Sequence, residues 1–416
     1  MRPEGSRNRF SRPRNSAPLE QNCAVVSSNY SLSEELGKAL SALTPGPGRL
    51  KAPALTRAAD HDWATEVLAA FEPGAAGTPV PSERALASAS DWLRRSVPVV
   101  MPTETVYGLA APALDREAVT AVFAIKQRPL DNPLIAHVAG LEQLPELGIR
   151  WSSLAAQLAE AFWPGPLTLV LPTSARMPWV TAGLDSIAVR QPQHEFARAL
   201  IQRVGPLAAP SANRSGLPSP TRASHALQDL NGLVPLIVDA GEVEHGVEST
   251  VLDVRGAVPV LLRPGALSTE AIEAVCGCTV RLPQAGGAAR SPGMKYRHYS
   301  PRAQLWLYPP LAGNPRAARQ LAADARELRA QGRRVAAIVR EPVPDVERVI
   351  TLPADPRQVA RALFHWLREL DDQGIDCVLV EGVPAIGVGR AIMDRLERAA
   401  THVRRVEATV AALEGP

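Results

Sequence analysis

At 416 residues, the chain is too long for one ordinary hydrophobic core, and two or three domains are expected. Its 46% apolar and 21% charged residues are ordinary globular values, and a net charge of +3 excludes a chain driven by overall charge onto nucleic acid or a membrane surface. Four cysteines, Cys23, Cys276, Cys278 and Cys377, are too few and too scattered for a disulfide framework, and the single Cys-Gly-Cys lacks the second pair of a zinc site. A reduced, cytoplasmic compartment fits this usage, and no apolar run is long enough to span a bilayer.

Residues 1–30 carry Arg2, Arg7, Arg9, Arg12 and Arg14 with several serines and little acid. That composition suits either a transit peptide or a disordered extension. Residues 43–82 are rich in Pro, Gly and Ala, with one short helix expected near Trp63–Phe71. Everything before about residue 82 is therefore read as a poorly ordered, non-catalytic extension, 1–81. From Ser82 the pattern tightens: a helix through Arg95, then a strand over 97–101. A helix over 116–126 follows, with Val119, Val122, Phe123 and Lys126 at helical spacing. Pro129 closes it. "PLIAHVA" reads as a strand, 152–162 as a helix, "PLTLVLP" and "SIAVRQP" as strands, 196–204 as a helix, and "PLAAPSA" as a strand running into a loop. "PLIVDAG", "STVLDV" and "PVLLRPG" are further short strands. Several strands follow one another without a helix between them, which predicts a mixed α/β sheet with flanking helices over 82–283 rather than a strictly wound parallel one. Residues 284–302 read as a linker. From 303 to 416 strands and helices alternate, predicting a smaller, Rossmann-like parallel α/β domain.

Three stretches and several single residues carry chemistry. "VPVVMPTETVYGLAA", 97–111, ends an apolar strand in Thr103, Glu104, Thr105 and Tyr107, which are poor turn formers and good hydrogen-bonding groups, placed for a ligand. "KQRPLDNP", 126–133, puts Lys126, Arg128 and Asn132 on one proline-stiffened turn. Two readings stand: cations that complement a helix C-terminus, or a phosphate-binding set of a point charge and a planar fork. "LAAPSANRSGLPSPT", 207–221, offers Ser211, Asn213, Ser215 and Thr221 on a stiff loop, as a nucleotide contact or as the cap of a following helix. Arg190 and Arg263 each end an apolar strand, Glu248 and Ser249 precede another, and His137 lies within one. There is no P-loop, no Gly-x-Gly-x-x-Gly after a strand, no His-Glu-x-x-His and no Gly-x-Ser-x-Gly elbow. A bound nucleotide would be held by dispersed cations and hydroxyls, with positioning and charge stabilisation in place of covalent catalysis.

Taken in order, PTETVYGL, KQRPLDNPL, FWPGPLT, AVRQP, APSANRSG, GVEST and LLRPG resemble the YrdC/Sua5 family of threonylcarbamoyl-AMP synthases over about residues 83–283. "SPGMKYRHYSP" and "VEGVPAIGVGRAIMDRL" resemble the longer form, with its linker and small C-terminal domain. The resemblance implies formation of threonylcarbamoyl-adenylate and pyrophosphate from L-threonine, bicarbonate and ATP. Mg2+ accompanies the nucleotide, and the product passes to the transferase machinery that modifies adenosine 37 of tRNA. It further implies that Thr105, His137, Arg190, Ser211 and Ser249 hold L-threonine. Lys126, Arg128, Asn132, Ser186, Asn213, Thr221 and Arg263 would hold ATP, with Lys126 and Arg128 catalytic and Tyr299 closing over the pocket. No residue is expected to ligate a metal. Ser186 replaces a common Thr, and Asp394 stands where relatives often carry Asn. The alternative reading is an RNA-binding protein of the same fold with weak tRNA affinity, against which the modest charge and few aromatics weigh. A carbamoyl transferase of the hydrogenase-maturation type would carry zinc-finger Cys-x-x-Cys pairs, which are missing.

Overall fold

The computed structural model describes residues 62–74, 78–282 and 298–404. Val99, Val100 and Met101 form a strand whose three side chains are all fully buried. Alternation of the pleat sends Val100 to one face and Val99 with Met101 to the other, so this strand needs cover on both sides. Helices Arg116–Lys126 and Ala223–Leu230 cover the Val100 face, and helices Glu83–Arg94 and Glu195–Val204 cover the opposite one.

The strands in chain order are β1 (Glu66–Ala69), β2 (Phe71–Pro73), β3 (Pro79–Pro81), β4 (Val99–Met101), β5 (Gly108–Pro112), β6 (Ile135–His137), β7 (Leu167–Pro172), β8 (Ser186–Arg190), β9 (Leu207–Ala208), β10 (Leu236–Asp239), β11 (Thr250–Asp253) and β12 (Val260–Arg263). All but the β2–β3 hairpin join one ten-stranded sheet in the order β1-β10-β4-β5-β9-β6-β8-β7-β11-β12. Parallel pairs such as β6 with β8 alternate with antiparallel pairs such as β7 with β8, so the sheet is mixed, as the uninterrupted runs of strands predict. Helices Ser153–Phe162 and Thr269–Cys276 cover the β7–β11–β12 end. Strands β13 (Gln304–Tyr308), β14 (Val335–Val339), β15 (Arg348–Thr351), β16 (Cys377–Glu381) and β17 (His402–Val403) form a second, wholly parallel sheet in the order β15-β14-β16-β13-β17. Helix Pro315–Ala330 packs on one of its faces, and helices Pro356–Asp372 and Gly389–Ala399 on the other. The core under those last two helices also takes in Val247 and Tyr299, so the small sheet's apolar cluster runs into the neighbourhood of the large one.

One expectation is corrected and one element is added. No helix spans Trp63–Phe71: Glu66–Ala69 is an edge strand, paired in parallel with β10 from Glu66 with Leu236 to Ala69 with Asp239. The segment "WATEVLAAF" is compatible with either period, and the open edge of β10 decides between them. The extension of 1–81 is thus not wholly outside the folded domain. Trp63 donates its backbone N–H to the Gly232 carbonyl (2.9 Å) and sets its ring edge-on to Trp92 (centroids 5.1 Å apart). The addition is β5, to which the sequence pattern assigns no element; it has the weak strand formers Gly, Ala and Pro and pairs with β4 and β9. The arginine-rich run of 1–30, Cys23 and most of the linker lie outside the described residues, and Cys276, Cys278 and Cys377 are free thiols.

Candidate active site

The loops that leave β4, β6, β8, β9 and β12, with the helix end at Lys126, enclose one cleft of about 730 Å3, counting its open mouth. Lys126 reaches it because Asp115 starts its helix, accepting from the N–H groups of Glu117 (2.9 Å) and Ala118 (3.2 Å), and Gln127 ends it in the left-handed conformation (φ 53°). The chain then reverses, and Arg128 follows one residue beyond. Both cations are buried, Lys126 to 1% exposure. A cation that merely complements a helix dipole stays in solvent, so the helix-end reading fails at this position.

Lys126 Nζ donates to the carbonyls of Ser211 and Asn213. Arg128 donates Nε–H to the Asn132 carbonyl (3.2 Å) and Nη2–H to the Pro133 carbonyl (3.0 Å). Arg263 donates to the Ser249 carbonyl (3.0 Å) and to its hydroxyl (3.1 Å). These acceptors are neutral. Burial therefore pushes Lys126 well below the usual lysine range and Arg128 down to about 10, and it lowers Arg263 as well. Three desolvated cations beside one another are held at a cost that an anionic ligand would relieve. His298, pushed down to about 4 by burial and by the Arg128 charge, and Tyr299 line the same region.

A second set lies around Arg190. Its Nη2 pairs with Glu104 Oε1 (2.6 Å), Nη1 donates to the Thr105 hydroxyl (2.8 Å), and Nε donates to the Gly165 carbonyl (3.1 Å). Burial works against ionisation of Glu104, but Arg190 and the Gln193 N–H (3.0 Å) hold its carboxyl below the usual range. His137 is pushed down to about 3 by burial and by Arg190, so its ring is neutral and faces the cleft as a hydrogen-bonding group. On the far wall, Ser249 shares a hydrogen bond with Thr168 (2.7 Å). Gly265 packs directly on this backbone: a Cβ there would lie 2.3 Å from the Ser249 carbonyl carbon, so no larger residue fits.

The structure thus brings together Thr105, Lys126, Arg128, His137, Arg190, Ser211, Asn213, Ser249, Arg263 and Tyr299, from positions spread over nearly half of the chain. Three residues expected to hold ATP do not line the cleft. Asn132 contributes its carbonyl to Arg128; Ser186 begins β8, whereas Arg190 at the other end of that strand faces the cleft; and the Thr221 N–H and hydroxyl lie 3.2 and 3.4 Å from His225 Nδ1. The sequence reading placed Glu104 for a ligand without giving it a role, and assigned no ligand to Ser219, Glu248 or His298, although all four sit in the quoted motifs. Their signal is burial: Glu104, Ser219 and Glu248 are each at most 6% exposed.

A mixed sheet whose strand-end loops surround a cationic, hydroxyl-rich cleft defines an α/β protein with a polar small-molecule cleft. Comparison with known proteins narrows this. A family model described as "Telomere recombination" (Sua5_yciO_yrdC) matches residues 91–265, and one described as "Threonylcarbamoyl-AMP synthase, C-terminal domain" matches residues 267–401. The chain is 45% identical to the threonylcarbamoyl-AMP synthase of Pyrococcus abyssi over 76% of its own length and 93% of the relative's. It is 43% identical to that of Bacillus subtilis, covering 76% and 92%. A crystal structure of Pyrococcus abyssi Sua5 complexed with L-threonine superposes with a TM-score of 0.76 at 41% identity, covering 82% of this chain and 99% of that one. The chain belongs to the YrdC/Sua5 family of threonylcarbamoyl-AMP synthases, in the long form with the C-terminal domain.

Proposed function

We propose that the cleft condenses L-threonine, bicarbonate and ATP into threonylcarbamoyl-adenylate and pyrophosphate, a nucleotidyl transfer that supplies the threonylcarbamoyl group for adenosine 37 of tRNA. One observation carries this reading: Lys126, Arg128 and Arg263, buried together with neutral partners, adjoin an anchored Arg190 fork in the same cleft. The first set suits a triphosphate, and the second suits an amino-acid carboxylate. The relatives' names and the threonine complex of the Pyrococcus abyssi protein support it.

In this reading Arg190, with Thr105 beside it, takes the threonine carboxylate, and Ser211, Ser249 and neutral His137 take its remaining polar groups. The threonine amine attacks the carbon of bicarbonate, forming the carbamate with loss of water. A carbamate oxygen then displaces pyrophosphate from the α-phosphorus, and both electrons of the broken P–O bond leave with pyrophosphate. Lys126, Arg128 and Arg263 bear the charge that builds on the phosphate oxygens, assisted by Asn213 and Tyr299. Among the described residues no group of three or more His, Cys, Asp or Glu could hold a metal ion, and Glu248 in the cleft is committed to Arg395 and Ser219. Mg2+ would accompany the triphosphate and offset part of its charge. The product goes to the tRNA-modifying transferase machinery. No described helix is long and apolar enough to cross a membrane.

Labelled bicarbonate tests the reading. Label is expected in a nucleotide product only when ATP and L-threonine are both present. Label entering that product without threonine would overturn the assignment.

A further inference from the structure

Arg395 is 1% exposed, yet it lies on the apolar face of helix Gly389–Ala399 with Ile392, Leu396 and Ala399. An arginine there is tolerated only when its donors are engaged. Its Nε donates to Glu248 Oε2 (2.8 Å), Nη2 to the Pro264 carbonyl (3.0 Å) and Nη1 to the adjacent Asp394. The guanidinium lies 5.1 Å from the centroid of the Tyr299 ring. Tyr299 itself holds a left-handed backbone (φ 64°), costly for an aromatic residue. It is kept there by the Arg395 guanidinium, by stacking on Phe364 (5.4 Å) and by the next N–H, Ser300, bonding to the Gly216 carbonyl (2.8 Å). Glu248 and Tyr299 line the cleft, as does Arg263, the neighbour of Pro264; Arg395 does not.

We infer that Arg395 is a positioning residue through which the C-terminal domain sets the phosphate end of the cleft, holding Glu248, Tyr299 and the Arg263–Gly265 turn in register. The inference rests on the function proposed above. Its mechanism is competition for one carboxylate. Glu248 faces Arg395 from the helix, Arg263 from the end of β12, and His298 and Tyr299 from the segment before β13; around them, Asp394 faces Arg263, Tyr299 and Arg395, and Arg398 faces His298. Its Oε1 accepts from Ser219 (2.6 Å), and Arg398 is tied to Asp394 (3.0 Å). While Arg395 satisfies Oε2, Arg263 stays bonded to Ser249 and presents its charge to a ligand. Without Arg395, the ionised carboxylate draws Arg263 onto itself.

The test uses the full chain and steady-state pyrophosphate release. In Arg395→Met the KM for ATP is expected to rise about tenfold or more, with less than about threefold change in the KM for L-threonine. The defect should ease as pH falls, because Glu248, no longer paired with Arg395, becomes neutral and releases Arg263. Glu248→Gln/Arg395→Met is expected to recover most of the ATP affinity and to lose that pH dependence, a rescue that simple misfolding would not give. A wild-type KM and pH profile in Arg395→Met overturns the inference, as does a double variant no better than the single one. Should Arg395→Met fail to fold, Arg395→Lys decides: it keeps the charge and loses the fork, so an ATP KM raised about threefold or more is expected, and a wild-type value overturns it. A wild-type chain that releases no pyrophosphate overturns the proposed function itself, which separates the two failures.

Discussion

Arg128 is buried and, among the described residues, bonds to carbonyls and to no carboxylate, and burial holds it down to about 10. Replacing it removes an unfavourable buried charge and the group that would offset a phosphate. Arg128→Ala is therefore expected to cut threonine-dependent pyrophosphate release by about 100-fold or more while the melting temperature holds or rises; turnover near wild type would remove the phosphate assignment. Arg190 differs, since its fork is already shaped by Glu104 and Thr105. Arg190→Lys keeps the charge and loses the planar pair, so the KM for L-threonine should rise about tenfold with the KM for ATP little changed. Equal rises in both would contradict a separate amino-acid end. At this scale the sequence was legible where polar residues broke an apolar run: Thr105, Lys126, Arg190, Ser211, Ser249 and Arg263 all stand out that way, and all line the cleft. Asn132, Ser186 and Thr221, which the resemblance also assigns to ATP, do not line this cleft. Arg395 was hidden in the sequence. A charged residue inside "AIMDRL" reads as the solvent face of a helix, and only the partner from another domain shows otherwise.

The elements most clearly written in the sequence are those with one strong periodicity. Helix Arg116–Lys126 has an Asp cap, a helical stripe and a following proline, and the expected bounds match the observed ones. Strand β8 is a short apolar run bounded by turn residues. β1 is the contrary case, because its character comes from the β10 edge that it meets 170 residues later. Leu68 is buried there, and the Thr65 hydroxyl donates to the Val234 carbonyl (2.7 Å). A chain beginning at residue 82 leaves that edge open. It is expected to melt about 4 °C or more below one beginning at residue 62 and to aggregate more readily. Identical melting curves would show that β1 contributes nothing to the large sheet.

Across the whole molecule, buried titratable groups set the response to acid. His137 and His225 are held down to about 3 and His298 to about 4, chiefly by burial. Each binds fewer protons folded than unfolded, so stability declines as pH falls below about 6.5, the unfolded histidine value. Glu248 is held down to about 2 because Arg395, Arg263 and Ser219 together outweigh its burial. Its contribution is complete above the unfolded value near 4.3 and is lost as pH falls toward 2. The melting temperature should therefore be level above pH 7, drop below about 6.5 and drop again below about 4.3; a maximum at pH 4 to 5 would contradict this charge arrangement. The same groups join the two sheets. Arg368 on helix Pro356–Asp372 pairs with Asp229 (2.7 Å), and His225 stacks on His365, so the C-terminal domain is bolted beside the cleft at several points.

The central claim is that one cleft holds a triphosphate on Lys126, Arg128 and Arg263 beside an amino acid on Arg190. Pyrophosphate release from the full chain, measured with ATP, L-threonine and bicarbonate each omitted in turn, tests it most directly. Release is expected only when all three are present, and in Arg128→Ala it should fall to background. Release that persists without threonine or bicarbonate, or that survives in Arg128→Ala, would contradict the account.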